Sequence, residues 1–255
     1  MVDTSLSLGA LVGVVLSAGF VYLEVGRFAT PQVPVSLFDE RRELFAYTAG
    51  LFVGVPLAVV FVLFVDAMGN GALPGGLLFL GLLVVGTEVA QWALLRTRYW
   101  GRDASGPFYA LGYRASIGGI LALALVAQYF GGPGPVTAAG VALVLLESVA
   151  VIGLEVAGAL LSVRTPPSDD RRRGGPVSGG LFELAGFFLI GLGGLAGTAG
   201  AFLGAAVALL GGGLVYQRLR STLAAIAPPG GRGPPIPSGP PAPFGRTGGR
   251  PPGAE

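Results

Sequence analysis

The chain has 255 residues, 52% hydrophobic and only 12% charged, with a mean hydropathy of +0.72 and a formal net charge of +2. Soluble domains carry about a quarter charged residues, so this composition points away from a water-facing fold, and so small a net charge gives no basis for nucleic-acid binding. Cysteine, histidine and lysine are all absent. That excludes disulfides, thiolate and imidazole catalysis, haem or zinc held by histidine, and a retinal Schiff base.

Runs of roughly 20 apolar residues are the signature of membrane-crossing helices. Seven spans are predicted, at 5–25, 44–65, 73–95, 108–130, 135–163, 180–196 and 199–217. The last two come from one glycine-rich run that, as a single helix, would be about 55 Å long against a hydrocarbon core of about 30 Å. A break near Gly197 to Gly200 is therefore expected.

The opening "MVDTSL" carries an aspartate and no base, unlike a cleavable export signal, so the first span is expected to stay as a membrane helix. After it, Pro31 and Pro34 keep the loop extended, and Ser36 with Asp39 forms an S-x-x-D helix start. The "DERRE" cluster there reads as a solvated helix start, with a docking site for a cytoplasmic partner as the alternative. Residues 218–227 are expected to form a juxtamembrane segment. Residues 228–255 hold ten prolines and eight glycines, the composition of a disordered tail with polyproline-II character.

All basic residues are arginine, as suits a GC-rich prokaryotic genome. They fall in alternate connections: Arg27, Arg41 and Arg42, then Arg96, Arg98 and Arg102, then Arg164 and Arg171 to Arg173, then the segment after span 7. The turns 66–72 and 131–134 have none. The positive-inside rule then places the N-terminus outside and the C-terminus inside, in a cell membrane. The expected fold class is all-α, a polytopic integral membrane bundle of seven transmembrane helices, with the bilayer as its first partner.

Small residues make two ridges: Gly200, Gly204, Ala208 and Gly212 in span 7, and Gly112 with Ser116 in span 4. Such ridges let helices approach closely. Packing within the chain is one use; a homo-oligomer or a partner membrane subunit is the other.

Spans 3 and 5 share G-x-E-V-A-x-x-x-L, at Gly86 to Leu94 and Gly153 to Leu161, and span 1 keeps Glu24, Val25 and Gly26. With Phe-x-x-x-Gly at Phe108 and Phe182, this suggests a helical hairpin repeated in parallel three times, closed by a seventh helix. Depth then ranks the acids. Glu24 lies three residues from Arg27, close enough to reach headgroups or pair with it, Glu43 and Glu183 fall in first helical turns, and Asp66 is wet; none needs a special role. Glu88 and Glu155 lie about 12–14 Å deep, and Arg114 about 10 Å deep at the same level. Glu147 is deeper, and its eight-residue offset from Glu155 leaves both on one broad face. Gln91 extends the polar face of Glu88.

The candidate site is therefore Glu88, Gln91, Arg114, Glu147 and Glu155, with Arg114 paired to Glu88 or Glu155 unless it snorkels to the inner surface. Three deep acids face one deep base. An isolated carboxylate in hydrocarbon costs roughly 2.5–3.5 kcal/mol on the lenient insertion scale, so the surplus calls for protons, a cation or a wet cavity. Two readings follow: a proton- or cation-linked transporter or channel-like protein, and a non-catalytic scaffold or accessory subunit with the glutamates as interhelical hydrogen bonders. Without a catalytic motif, an enzyme is not expected, nor a cofactor or resident metal.

Overall fold

The computed structural model describes residues 4–28, 40–97, 106–163 and 175–226. These form seven helices: α1 (Thr4–Phe28), α2 (Glu40–Gly69), α3 (Leu73–Arg96), α4 (Gly106–Gly131), α5 (Ala138–Val163), α6 (Gly175–Leu195) and α7 (Gly197–Ile226). All seven are long and apolar enough to cross a membrane. The loop prolines Pro31 and Pro34, the Ser36–Asp39 helix start, the arginines of the 164–174 connection and the tail from 227 lie outside the described residues.

Local chemistry explains the ends. After α2, Gly71 adopts φ +71°, its N–H bonds to the Met68 carbonyl at 3.0 Å, and that of Ala72 reaches the Ala67 carbonyl at 2.8 Å. This is a Schellman stop, which satisfies carbonyls that a helix end otherwise leaves orphaned. Helix α5 starts three residues later than the hydropathy run suggested. Thr137 caps it by accepting the Gly140 N–H at 3.1 Å on its hydroxyl, and the Tyr129 phenol accepts the Thr137 N–H at 3.0 Å. The expected break in the last apolar run falls at Gly197, whose φ of +79° suits a residue without a Cβ. Helix α7 then runs on to Ile226, through the segment expected to be juxtamembrane.

Helix α4 is the axis of the molecule. Of its most apolar window 78% is buried, against at most 44% for any other helix. It packs chiefly on α1, α2 and α5, and lightly on α3; α6 closes the gap between α5, α3 and α2, and α7 lies outside on α5 and α6. Among the three expected hairpins only α5–α6 is a major packing pair. Helices α1 and α2 each lie mainly on α4, and α3 mainly on α2. The central helix takes α1 and α2 as well as the following α5 as partners, which displaces the expected α1–α2 and α3–α4 pairing.

Backbone approach makes that centre possible. A Cβ on Gly13 of α1 would collide with the Gly119 carbonyl of α4, so the two helices meet with almost no side chain between them. The span-4 ridge faces α2, Gly112 lying under Glu43 and Ser116 beside Gly50. The α7 ridge is also spent internally: Gly204 rests against the Leu189 carbonyl of α6, and Gly212 against Gly153 of α5.

The half of the interior away from Glu43 and Ser116 is mainly apolar, with Phe61, Phe64, Met68, Leu80 and Phe187 buried together and the rings of Phe61 and Phe187 edge to face at 5.8 Å. The outward faces are apolar as well. Leu11, Leu78, Val85, Leu203 and Leu210 are all exposed.

Candidate functional site: a guanidinium shared by three carboxylates

Four helices place a polar side chain at one level. Arg114 is eight residues from Gly106, Glu88 eight from Arg96, Glu155 eight from Val163 and Glu183 eight from Gly175. At helical rise each is about 12 Å from its helix end, all on the same side of the molecule. Adjacent helices in this group are therefore antiparallel, and their matched offsets bring one base and three acids together.

Arg114 is completely enclosed. Its Nε donates to Gln91 Oε1 at 2.6 Å and its Nη1 to Glu155 Oε2 at 2.9 Å. Its Nη2 donates to both Glu88 Oε1 at 2.7 Å and Glu183 Oε1 at 2.6 Å. Four of the five N–H bonds of a guanidinium are thus used, in the planar fork that suits arginine and not lysine.

A second set of hydroxyls holds the acids. Ser162 of α5 donates to Glu88, its Oγ lying 3.0 and 3.1 Å from the two carboxylate oxygens. The Thr87 hydroxyl is shared between Glu183 Oε2 at 3.3 Å and the Val84 carbonyl at 2.9 Å. Gly158 of α5 sits directly against the Glu183 carboxylate, where a side chain would displace it.

Access is uneven. Glu155 and Glu183 are fully buried, whereas the Glu88 side chain keeps 14% of its surface exposed. Of the six carboxylate oxygens, five have a donor; Glu155 Oε1 is buried and has none. With every acid ionised the cluster would carry two uncompensated negative charges, a large cost away from water.

The structure brings together Glu88, Gln91, Arg114 and Glu155, and Arg114 holds both of its expected carboxylates instead of choosing one or snorkelling. Glu147 stays apart. It is half-buried and makes no hydrogen bond or ion pair with any described residue. Sharing a broad face was too loose a criterion: an offset of about 80° turns Glu147 off the line to Arg114, and eight residues carry it about 12 Å along the axis.

Glu183 corrects the sequence expectation in the other direction. The apolar run begins near Gly180, which put Glu183 in a first turn; the helix starts at Gly175, so Glu183 is inside it. The readable signal was Pro176, since proline inside an apolar pattern is tolerated in the first turn of a helix and not in its interior. Thr87 and Ser162 were also missed, being weakly polar residues with no marking pattern. Glu43 does fall in the first turn of α2 but is not solvated: it is only 6% exposed, and neither of its carboxylate oxygens has a hydrogen-bond partner among the described residues. Glu24 is buried too, and the Arg27 side chain lies outside the described residues. Asp66 is exposed as expected and accepts from Gln128 at 2.5 Å.

Among the described residues no group of three acids is placed to hold a metal ion; the point where three carboxylates converge is occupied by the guanidinium. Compared with known proteins, the chain matches no family model, no curated protein and no solved structure.

Proposed function

We propose that this chain is a multi-pass protein of the cell membrane, N-terminus outside and C-terminus inside, acting as a proton-linked transporter whose working site is the Arg114 cluster. The exposed apolar faces of seven long helices support burial in lipid, and the arginine alternation supports the orientation. The observation that carries the transport reading is the charge count: three carboxylates on one guanidinium, in the inner half of the bundle. A surplus of two acids is unneeded for gluing helices, since one would neutralise Arg114. It suits a site that gains and loses protons.

The test is a liposome assay. Purified protein is reconstituted with a trapped pH dye, a proton gradient is imposed, and a panel of small solutes is added. Solute-dependent collapse of the gradient, lost in Glu88→Gln, is the expected result. The full enclosure of Arg114 favours a second reading, a scaffold in which the cluster only locks α3 to α6 together. An intact gradient with every solute, alongside a lowered Tm for Glu88→Gln, would assign the protein to that reading.

A further inference from the structure

We infer that the three acids divide the work: Glu183 is the standing counter-ion of Arg114, Glu155 keeps a resident proton, and Glu88 alone exchanges a proton with the inner aqueous side. This rests on the proton-linked reading of the site and adds which residue moves the charge, and how many.

The assignment follows from donors and access. Both oxygens of Glu183 are engaged by donors, Arg114 Nη2 and Thr87, and the residue is wholly enclosed, the setting of a fixed carboxylate. Glu155 has one oxygen on Arg114 Nη1 and one buried oxygen facing no donor. A full negative charge is poorly supported there, and a proton on Oε1 removes it. Glu88 is the member with exposed surface, and it lies toward the helix ends that lead to the 98–105 and 164–174 connections.

Every charged or titratable group shown near Glu88 has a place in this scheme. Helix α4 presents Arg114, with Tyr113 in electrostatic range of Arg114 and Glu155. Helix α5 presents Glu155 and the Ser162 hydroxyl, and α6 presents Glu183, held by the same arginine nitrogen. Helix α2, which also packs on α3, offers apolar Leu57 against Gly86. The cluster then alternates between net charge −1 and 0, one proton at a time.

Glycines in α6 guard the exchange point. A Cβ on Gly179 would meet the Ser162 hydroxyl, the Gly158 carbonyl at 2.7 Å and Glu88 Oε1 at 3.0 Å; one on Gly180 would touch Glu88 Cγ at 3.4 Å. The backbone of α6 therefore lies directly over Glu88, and its separation from α5 sets how far water reaches.

Wild-type-minus-variant infrared difference spectra of the full chain in lipid, recorded at each pH of a series, test the division. One carboxyl band should titrate and vanish in Glu88→Gln, while a pH-independent protonated-acid band should vanish in Glu155→Gln. A wild-type-minus-Glu88→Gln difference with no titrating carboxyl band, or a titrating band in the corresponding Glu155→Gln or Glu183→Gln difference, overturns the inference. A hydrophobic carbodiimide applied to the wild-type protein gives a check that needs no variant: peptide mapping should find Glu88 modified well before Glu155 or Glu183, and the reverse order overturns the inference. If Glu88 alone titrates but no solute collapses the gradient, the transport reading fails while this assignment stands.

Discussion

Glu88 and Glu183, on helices α3 and α6, accept hydrogen bonds from a single atom, Arg114 Nη2, at 2.7 and 2.6 Å. Two carboxylates separated by 95 positions in sequence are thus held side by side by one nitrogen on a third helix. Each limits how far its helix can move without releasing the other.

Removing the arginine should be the most damaging single change in the protein. Breaking a buried ion pair by deleting one partner costs roughly 3–5 kcal/mol, because the remaining charges are left uncompensated. Arg114→Met should fail to accumulate or should unfold far below the wild-type Tm. Arg114→Lys should rescue little, since an ammonium cannot reach four acceptors in one plane. Thermal unfolding in lipid nanodiscs reads both.

Glu147→Gln and Glu183→Gln separate what the sequence could not. Glu147 touches no polar partner, so its substitution should change stability by less than about 0.5 kcal/mol and leave any gradient-driven activity intact. Glu183→Gln removes a charge-assisted bond to Arg114 and should cost about 1.5–3 kcal/mol. Equal effects for the two would contradict the geometry.

How much of this was legible follows from these residues. Helix number and the break at Gly197 follow from apolar run length and glycine, because a membrane span has a minimum length and a turn needs a residue without Cβ. The Arg114 partnership with Glu88 and Glu155 was also readable, since depth along a helix can be counted from the sequence. The angle between two residues on one helix can be counted too, but which face turns toward Arg114 cannot, and Glu147 was grouped with the site on a shared face despite its greater depth. Glu183 was hidden by polar and small residues at 175–180 that are helical yet not apolar. The central position of α4 was hidden as well: a lipid-facing helix and a buried one are similarly apolar, and only its tyrosines, Ser116 and paired Gly118 and Gly119 hint at an interior place.

Gly13 and Gly19 make a matched pair on α1. Gly13→Ala would drive a methyl into the backbone of α4, which cannot yield, and should cost about 1–3 kcal/mol. Gly19 has open space around its Cβ position, so Gly19→Ala should be neutral, or stabilising by up to about 1 kcal/mol from helix propensity. Denaturant titration of the two variants, side by side, measures the difference.

A chain without cysteine is a clean background for mapping orientation. Asn70→Cys, in the arginine-free turn after α2, should react with a membrane-impermeant maleimide added to intact cells. Thr247→Cys, in the tail, should react only after the cells are opened. The opposite pattern would invert the orientation and move the Arg114 cluster to the outer half.

The shared eight-residue offset of the cluster has an electrical meaning as well as a geometric one. In a bilayer core of about 30 Å, a site about 12 Å from one face sits roughly two-fifths of the way through the membrane's voltage drop. A full elementary charge crossing 100 mV gains or loses about 2.3 kcal/mol, so under the proposed orientation and proton-linked function a proton travelling from the inner face to Glu88 would sample about 1 kcal/mol of it. The phenylalanine-rich half beyond carries the remaining drop. Occupancy of the cluster would then follow the membrane potential as well as the pH, and a negative interior would draw its proton back toward the cytoplasm.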